Sequence, residues 1–276
     1  MAGRLQGKVC LVTGSTGIAE AAALRFAGEG ADLFIASRTE AHCRGLAERI
    51  ALAGGRVGYR TADLTSEEEA VAAVGACTEA FGRIDGLFSV AGGSARRYGD
   101  GPLHEIPLAG WEATFEINLR PQFLVMREVL RRMLSQPPDP TGGRGSILLM
   151  GSVTAFDPAP AYYATHAYAA TKAAIVGLVA TTSAYYAPVG IRVNAVAPGA
   201  VSSPMSARAA ADPPTVAYAS RRQPLARGFM AAEDVSGAAV FLLSDEARVV
   251  TGQVIGVDAG WSVSDASDWA GPVVEA

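Results

Sequence analysis

The chain has 276 residues, of which 50% are apolar and 18% charged, with a formal net charge of −4 at pH 7. That balance excludes a disordered or fibrous protein, and its mildly acidic sign excludes the broad basic footprint of a nucleic-acid or anionic-membrane binder. Cys10, Cys43 and Cys77 and the three histidines, His42, His104 and His166, are scattered along the chain. They form no disulfide framework and no metal-site spacing, and they point to a reducing compartment. Residues 1–8 lack the apolar run of a signal peptide, and no later segment is apolar for long enough to span a bilayer. A cytoplasmic protein without nucleic-acid or membrane partners is expected.

Short apolar runs recur at 8–13, 32–36, 56–61, 86–91, 146–150, 192–196 and 253–257. Continuous runs of this length suit strands covered on both faces. Helix-like stretches follow them. Ile18, Ala22, Ala23, Phe26 and Ala27 repeat at helical spacing, and Gly30 stands where a helix C-terminal glycine belongs. Ser66 with Glu69 reads as a capping box opening a further helix, with Val71 and Val74 turned inward. The longest helices are expected over 111–133 and 168–186. This alternation predicts an α/β fold: a doubly wound, mostly parallel seven-stranded Rossmann sheet with helices on both faces. One domain over 1–261 accounts for it. The Pro/Gly-rich stretch 135–143 reads as a solvated loop, and 262–276 as a polar tail.

The first strand runs directly into Thr13, Gly14, Ser15, Thr16, Gly17, Ile18 and Ala19. Glycines at a strand-to-helix turn let the backbone approach a pyrophosphate, and the helix N-terminus supplies N–H groups and a favourable dipole. The segment resembles the cofactor turn of the short-chain dehydrogenase/reductase family. It departs from the family pattern in a spacer one residue shorter and in Ala19 for the last glycine, which implies a modified nicotinamide cofactor site. The second strand ends in Ser37 and Arg38 with no acid; a guanidinium there neutralises a 2′-phosphate, so NADP(H) is expected over NAD(H). The resemblance implies further cofactor contacts. Asp63 and Leu64 flank the adenine, Ala91 and Gly92 lie near the ribose, and Pro198, Gly199, Val201 and Ser203 border the nicotinamide. Ser89 replaces a family asparagine that ties neighbouring strands, which implies a looser scaffold.

Tyr168 and Lys172 are four residues apart, one helical turn on the same face. A tyrosine hydroxyl titrates near pH 10, and a nearby ammonium is expected to lower that value toward the working range. Tyr162 and Tyr163 have His166 and Ala167 at the corresponding position, so neither has the lysine. In the family pattern this pair joins two more residues: Ser152, which polarises the substrate carbonyl, and Asn118, which kinks a helix and holds a proton-relay water. Ser152 precedes Tyr168 by more residues than is usual in the family. The extra length, at 156–163, is expected to bulge into the substrate mouth.

The resemblance covers about residues 5–261 and implies an oxidoreductase that moves hydride between NADP(H) and a carbonyl or secondary alcohol, with Tyr168 as general acid and base. Two alternatives stay open: a redox-neutral epimerase, dehydratase or cyclase on the same scaffold, and a non-catalytic dinucleotide sensor. Lys172 counts against a halide-releasing relative that carries arginine there. Phe156, Tyr162, Met205 and Phe229 suggest an apolar or aromatic small-molecule substrate, with 205–230 as a lid. Arg96 and Arg97 could contact an anionic group such as a phosphopantetheine carrier or a carboxylate, with surface charge the preferred reading, and Trp111 reads as helix packing. The family habit implies a homodimer or homotetramer through the two long helices, where Ala169, Ala170, Ala173, Ala174 and Gly177 allow close contact.

Overall fold

A computed structural model describes residues 3–265; the tail expected beyond 265 lies outside the described residues. The apolar runs become strands β1 (Val9–Thr13), β2 (Asp32–Ser37), β3 (Val57–Thr61), β4 (Gly86–Ser89), β5 (Gly145–Met150), β6 (Ile191–Pro198) and β7 (Val254–Val257). They form a 7-stranded sheet in the order β3-β2-β1-β4-β5-β6-β7, parallel throughout. Side chains alternate between the two faces of a strand, and this alternation builds two cores. Leu11, Phe34 and Ile147 pack with α3 (Glu67–Phe81), α5 (Arg120–Ser135) and α6 (His166–Tyr186) on one face. Cys10, Val12, Leu33, Ile35 and Leu148 pack with α1 (Ile18–Gly28), α2 (Glu40–Leu52) and α9 (Glu233–Leu243) on the other. The chain order reverses between β1 and β4. Such a switch point opens a crevice at the carboxyl ends of the strands. The remaining helices, α4 (Leu108–Asn118), α7 (Ala207–Ala210) and α8 (Pro213–Arg222), gather near that edge.

Several local expectations change. The helix expected over 111–133 is two, α4 and α5, parted at Leu119. Pro121 has no N–H to continue the ladder, and its ring disfavours an uninterrupted turn. The capping box at Ser66 is one-sided: Ser66 Oγ accepts from Glu69 N at 3.4 Å, but Glu69 Oε2 reaches the N–H of Asp63 at 2.6 Å. Val71 is 41% exposed, and Ala70, Ala73, Val74 and Cys77 carry the buried face instead. The stretch 135–143 is anchored, because buried Gln136 accepts from Ile84 N (3.1 Å) and donates to the carbonyls of Ile84 (2.8 Å) and Arg144 (2.7 Å). The fold also continues past 261, where Trp261 is buried and Ser264 Oγ donates to the Arg221 carbonyl. At Ser89 the side-chain oxygen is buried without a partner. The tie between strands comes from Thr13, whose Oγ1 accepts from Val90 N (2.9 Å) and Ala91 N (3.0 Å) and ends β4 at Ser89.

Candidate active site

A cleft of about 790 Å³ lies along the carboxyl edge of the sheet. The turn after β1 contributes Gly14, Ser15, Thr16, Gly17 and Ile18; Ser37 and Arg38 follow β2, and Asp63 and Leu64 follow β3. Ala91 and Gly92 follow β4, Ser152 follows β5, and Pro198, Gly199, Val201 and Ser203 stand at the end of β6 and beyond. Asn118, Tyr168 and Lys172 come from α4 and α6. Every cofactor and catalytic residue singled out in the sequence therefore opens onto one cavity.

The glycine turn has the backbone that its composition suggests. Gly14 (φ +99°) and Gly17 (φ +58°) lie in the left-handed region, and a Cβ on Gly14 would stand 3.0 Å from that of Ala19. Ala19 is buried beneath the turn, so its extra methyl is accommodated only because position 14 has none. No side chain caps the start of α1 at Gly17. Free N–H groups at a helix start, in a glycine-walled turn, fit the pyrophosphate of a dinucleotide. At the end of β2, Arg38 has no ion pair among the described residues, and His42 of α2 lines the same stretch of cleft.

At the other end, Tyr168 occupies the first turn of α6. The N–H groups of Ala167 and Tyr168 donate to Asp100 Oδ1 and Oδ2, both at 3.0 Å, and the Asp100 side chain is buried. His166 Nδ1 lies 2.8 Å from the Gly101 carbonyl and ties down the same loop. Ser152 Oγ accepts from Thr154 N (3.2 Å) and Thr154 Oγ1 (2.9 Å), which leaves its own hydrogen free in the cleft it shares with Tyr168. Lys172 Nζ donates to the Met150 carbonyl at 2.8 Å and sits 5.4 Å from the centre of the Tyr168 ring. Gln122 holds the backbone of the same residue at both its groups, its amide donating to Met150 O and accepting from Met150 N, each at 3.2 Å. Asn118 is fully buried, with Oδ1 accepting from Gly93 N (3.0 Å) and Nδ2 donating to Thr114 O (3.1 Å). Its remaining acceptor capacity is one lone pair on Oδ1.

Burial dominates the electrostatics. It pushes the Tyr168 phenol up to about 12, with the Ser152 hydrogen bond pulling partly back, and it pulls the Lys172 ammonium down to about 7. The expected lowering of Tyr168 by its lysine is therefore overturned in this structure. Lys172 directs its proton at a carbonyl, and an amine titrating near 7 is only half charged at neutral pH, so desolvation of the phenol wins.

The substrate mouth also differs from expectation. Phe156 is 51% exposed, and Tyr162 stacks on Tyr218 with ring centroids 4.5 Å apart; neither lines the cleft. Met205 and Phe229 do line it, together with Tyr163, Trp261, Arg96 and Arg208. The loop 156–163 reaches the cleft through Tyr163, whose ring meets Trp261 edge-on at 5.7 Å. Asp157 holds that loop by an ion pair with Arg222 of α8 and by accepting from Trp261 Nε1. Trp111 packs on Phe115 within α4, as a helix-packing residue. Asp100, Thr154 and Gln122 were not legible in the sequence: each acts on a partner brought near only by folding or by a loop turn, and none belongs to a periodic pattern. Tyr163 did carry a signal, as the aromatic end of the lengthened segment before Tyr168.

Among the described residues no helix is long and apolar enough to cross a membrane, and no group of three His, Cys, Asp or Glu side chains is placed to hold a metal ion. The family model described as Enoyl-(Acyl carrier protein) reductase matches residues 12–262. A glucose 1-dehydrogenase of Gluconobacter oxydans is 34% identical across 93% of this chain and 92% of its own length. An A-factor type gamma-butyrolactone 1′-reductase of Streptomyces virginiae is 33% identical across 95% and 98%. Among solved structures, a protein assigned as an NAD(P)-dependent gluconate 5-dehydrogenase from Beutenbergia cavernae, with NADP bound at low occupancy, superposes with a TM-score of 0.83. It is 32% identical and covers 94% of this chain and 98% of its own. The chain belongs to the short-chain dehydrogenase/reductase family. It is an oxidoreductase of the NAD(P)-dependent kind that acts on CH–OH and C=O groups.

Proposed function

We propose that this protein is an NADP(H)-dependent ketoreductase or alcohol dehydrogenase with Tyr168 as its general acid and base. The observation that carries the reading is the convergence of Ser152, held by Thr154, with Tyr168 and Lys172 in the same cleft as the glycine turn. When bound, the nicotinamide dinucleotide supplies or receives the hydride. The N–H groups of 14–18 hold its pyrophosphate, Arg38 meets the 2′-phosphate, and Asp63 and Leu64 flank the adenine. Ala91, Gly92 and Lys172 border the ribose, while Pro198, Gly199, Val201 and Ser203 border the nicotinamide.

In the reductive direction Tyr168 gives its proton to the carbonyl oxygen, and Ser152 hydrogen-bonds that oxygen as negative charge develops. A phenol held near 12 is fully protonated at neutral pH, which suits a donor. In this reading Lys172, titrating near 7, exchanges protons with the interior, and a relay water would bond the remaining lone pair of Asn118. The absence of an acid at the end of β2, with Arg38 in its place and without an ion pair among the described residues, supports NADP(H) over NAD(H). Residence in the cytoplasm and assembly into a homodimer or homotetramer complete the reading. The apolar side chains left exposed on α5 and α6, among them Phe123, Leu134 and Val176, support assembly through those helices. Tyr168→Phe tests the central role. It is expected to fold and bind NADPH while losing at least about a hundredfold in turnover on a panel of ketones, followed by NADPH absorbance. Turnover at the wild-type rate would remove Tyr168 from its place.

A further inference from the structure

We propose that Arg96, the Tyr163 hydroxyl and Arg208 form an oxyanion subsite in the cleft, so that the substrate carries a carboxylate or a phosphate ester. All three residues line the cavity that holds Tyr168. Arg96 begins a short 3₁₀ turn (Arg96–Tyr98) after β4 and is partly buried, with Arg208, Asp100 and Tyr163 all within electrostatic range. The neighbouring carboxylates are engaged elsewhere: Asp100 accepts two N–H groups of α6, and Asp157 pairs with Arg222. Among the described residues neither Arg96 nor Arg208 has an ion pair. The two guanidiniums disfavour each other, and burial and Arg208 lower the Arg96 pKa by more than Asp100 and Tyr163 raise it. An anion between them removes that conflict.

Tyr163 supplies the second line of argument. Its hydroxyl is buried and makes no hydrogen bond, and burial holds the phenol near 12, so at neutral pH it is an unused donor. A buried polar group without a partner is unfavourable until something accepts its hydrogen. Guanidiniums offer donors only, so these groups together complement an oxyanion and no cation. Met205 and Phe229, on the same cleft, provide an apolar wall for the body of the ligand. Arg97 lines the same cleft but is exposed, and its Nη2 donates to the Tyr98 hydroxyl at 2.7 Å.

The inference rests on the proposed reductase reading for the carbonyl that accompanies the anion, and its test reads binding without turnover. Hydrocinnamate, phenethyl phosphate and neutral hydrocinnamide are titrated calorimetrically into the full-length protein with NADP present in excess. At least one anion is expected to bind about tenfold or more tighter than the amide, and the tighter anion identifies the group. In Arg96→Gln that ratio falls toward one, Arg96→Lys restores part of it, and Tyr163→Phe lowers it several-fold. Equal affinity for anions and amide in the wild type, or an undiminished preference in Arg96→Gln, overturns the subsite. A protein that prefers the anions yet oxidises no NADPH with any ketone fails the redox reading and keeps the subsite. The opposite pattern fails the subsite alone.

Discussion

Replacing Asp100 by alanine removes both carboxylate acceptors from the first turn of α6. Two N–H groups, those of Ala167 and Tyr168, lose partners at 3.0 Å in a buried setting. Loss of a helix cap costs about 0.5–2 kcal/mol, and a buried bond to a charged group about 1.5–3 kcal/mol. Because both bonds share one carboxylate and the groups partly relax, a combined loss of about 2–4 kcal/mol is expected. In a chain of this size each kcal/mol shifts the melting temperature by roughly 2–4 °C, so a fall of roughly 5–15 °C follows. Tyr168 is itself one of the released donors, and misplacing a reacting group by about 1 Å can cost a hundredfold. The kcat should therefore fall ten- to a hundredfold, while NADPH affinity, set at the far end of the cleft, stays within about twofold. Asp100→Asn keeps one acceptor oxygen and should recover part of both losses. Calorimetric melting, NADPH titration and steady-state kinetics read these quantities separately. An Asp100→Ala protein that melts and turns over like the wild type would refute the reasoning.

Lys172 predicts a pH dependence. Its folded value near 7 lies below the ordinary 10.5, so reductive kcat should decline as pH rises through about 7 while Tyr168 stays protonated. Lys172→Arg, charged throughout, should abolish that limb, and an unchanged profile would exclude the lysine as its source. The same shift affects stability: between about 7 and 10.5 the unfolded chain binds the proton and the folded chain does not, so stability gains with pH in that window. Lys172→Met should flatten that slope in urea unfolding at pH 7 and pH 10. Arg38→Asp should reverse the proposed preference for NADP(H), weakening NADPH at least about tenfold relative to NADH in fluorescence titration. Gly14→Ala forces a side chain into φ +99° and to within 3.0 Å of Ala19, so it should destabilise the fold by about 1–3 kcal/mol and impair dinucleotide binding. The double change Gly14→Ala with Ala19→Gly should recover only the steric part.

The local arrangements were legible in residue order because they depend on neighbours along the chain. Apolar runs such as Val9–Thr13 became strands, and alternation within them divided Leu11 from Cys10 and Val12 between the two cores. The glycines at 14 and 17, and the pair Tyr168 and Lys172 one turn apart, likewise express short-range geometry, and all four opened onto one cleft. Other features depended on what folding brought near. Asp100 caps a helix 67 and 68 positions later, and Gln136 fastens a loop to Ile84, 52 positions away. Pro121 did lie in plain view, but apolar periodicity on both sides of it masked the break at Leu119. The proton affinities of Tyr168 and Lys172 were decided by tertiary structure as well, because spacing supplies the neighbour while the surrounding atoms determine how much water each group loses. Hence residue order determined the elements and their recurring motifs. The packed molecule decided which side chains enter the cleft and in what charge state, since desolvation and long-range hydrogen bonds exist only once distant segments meet.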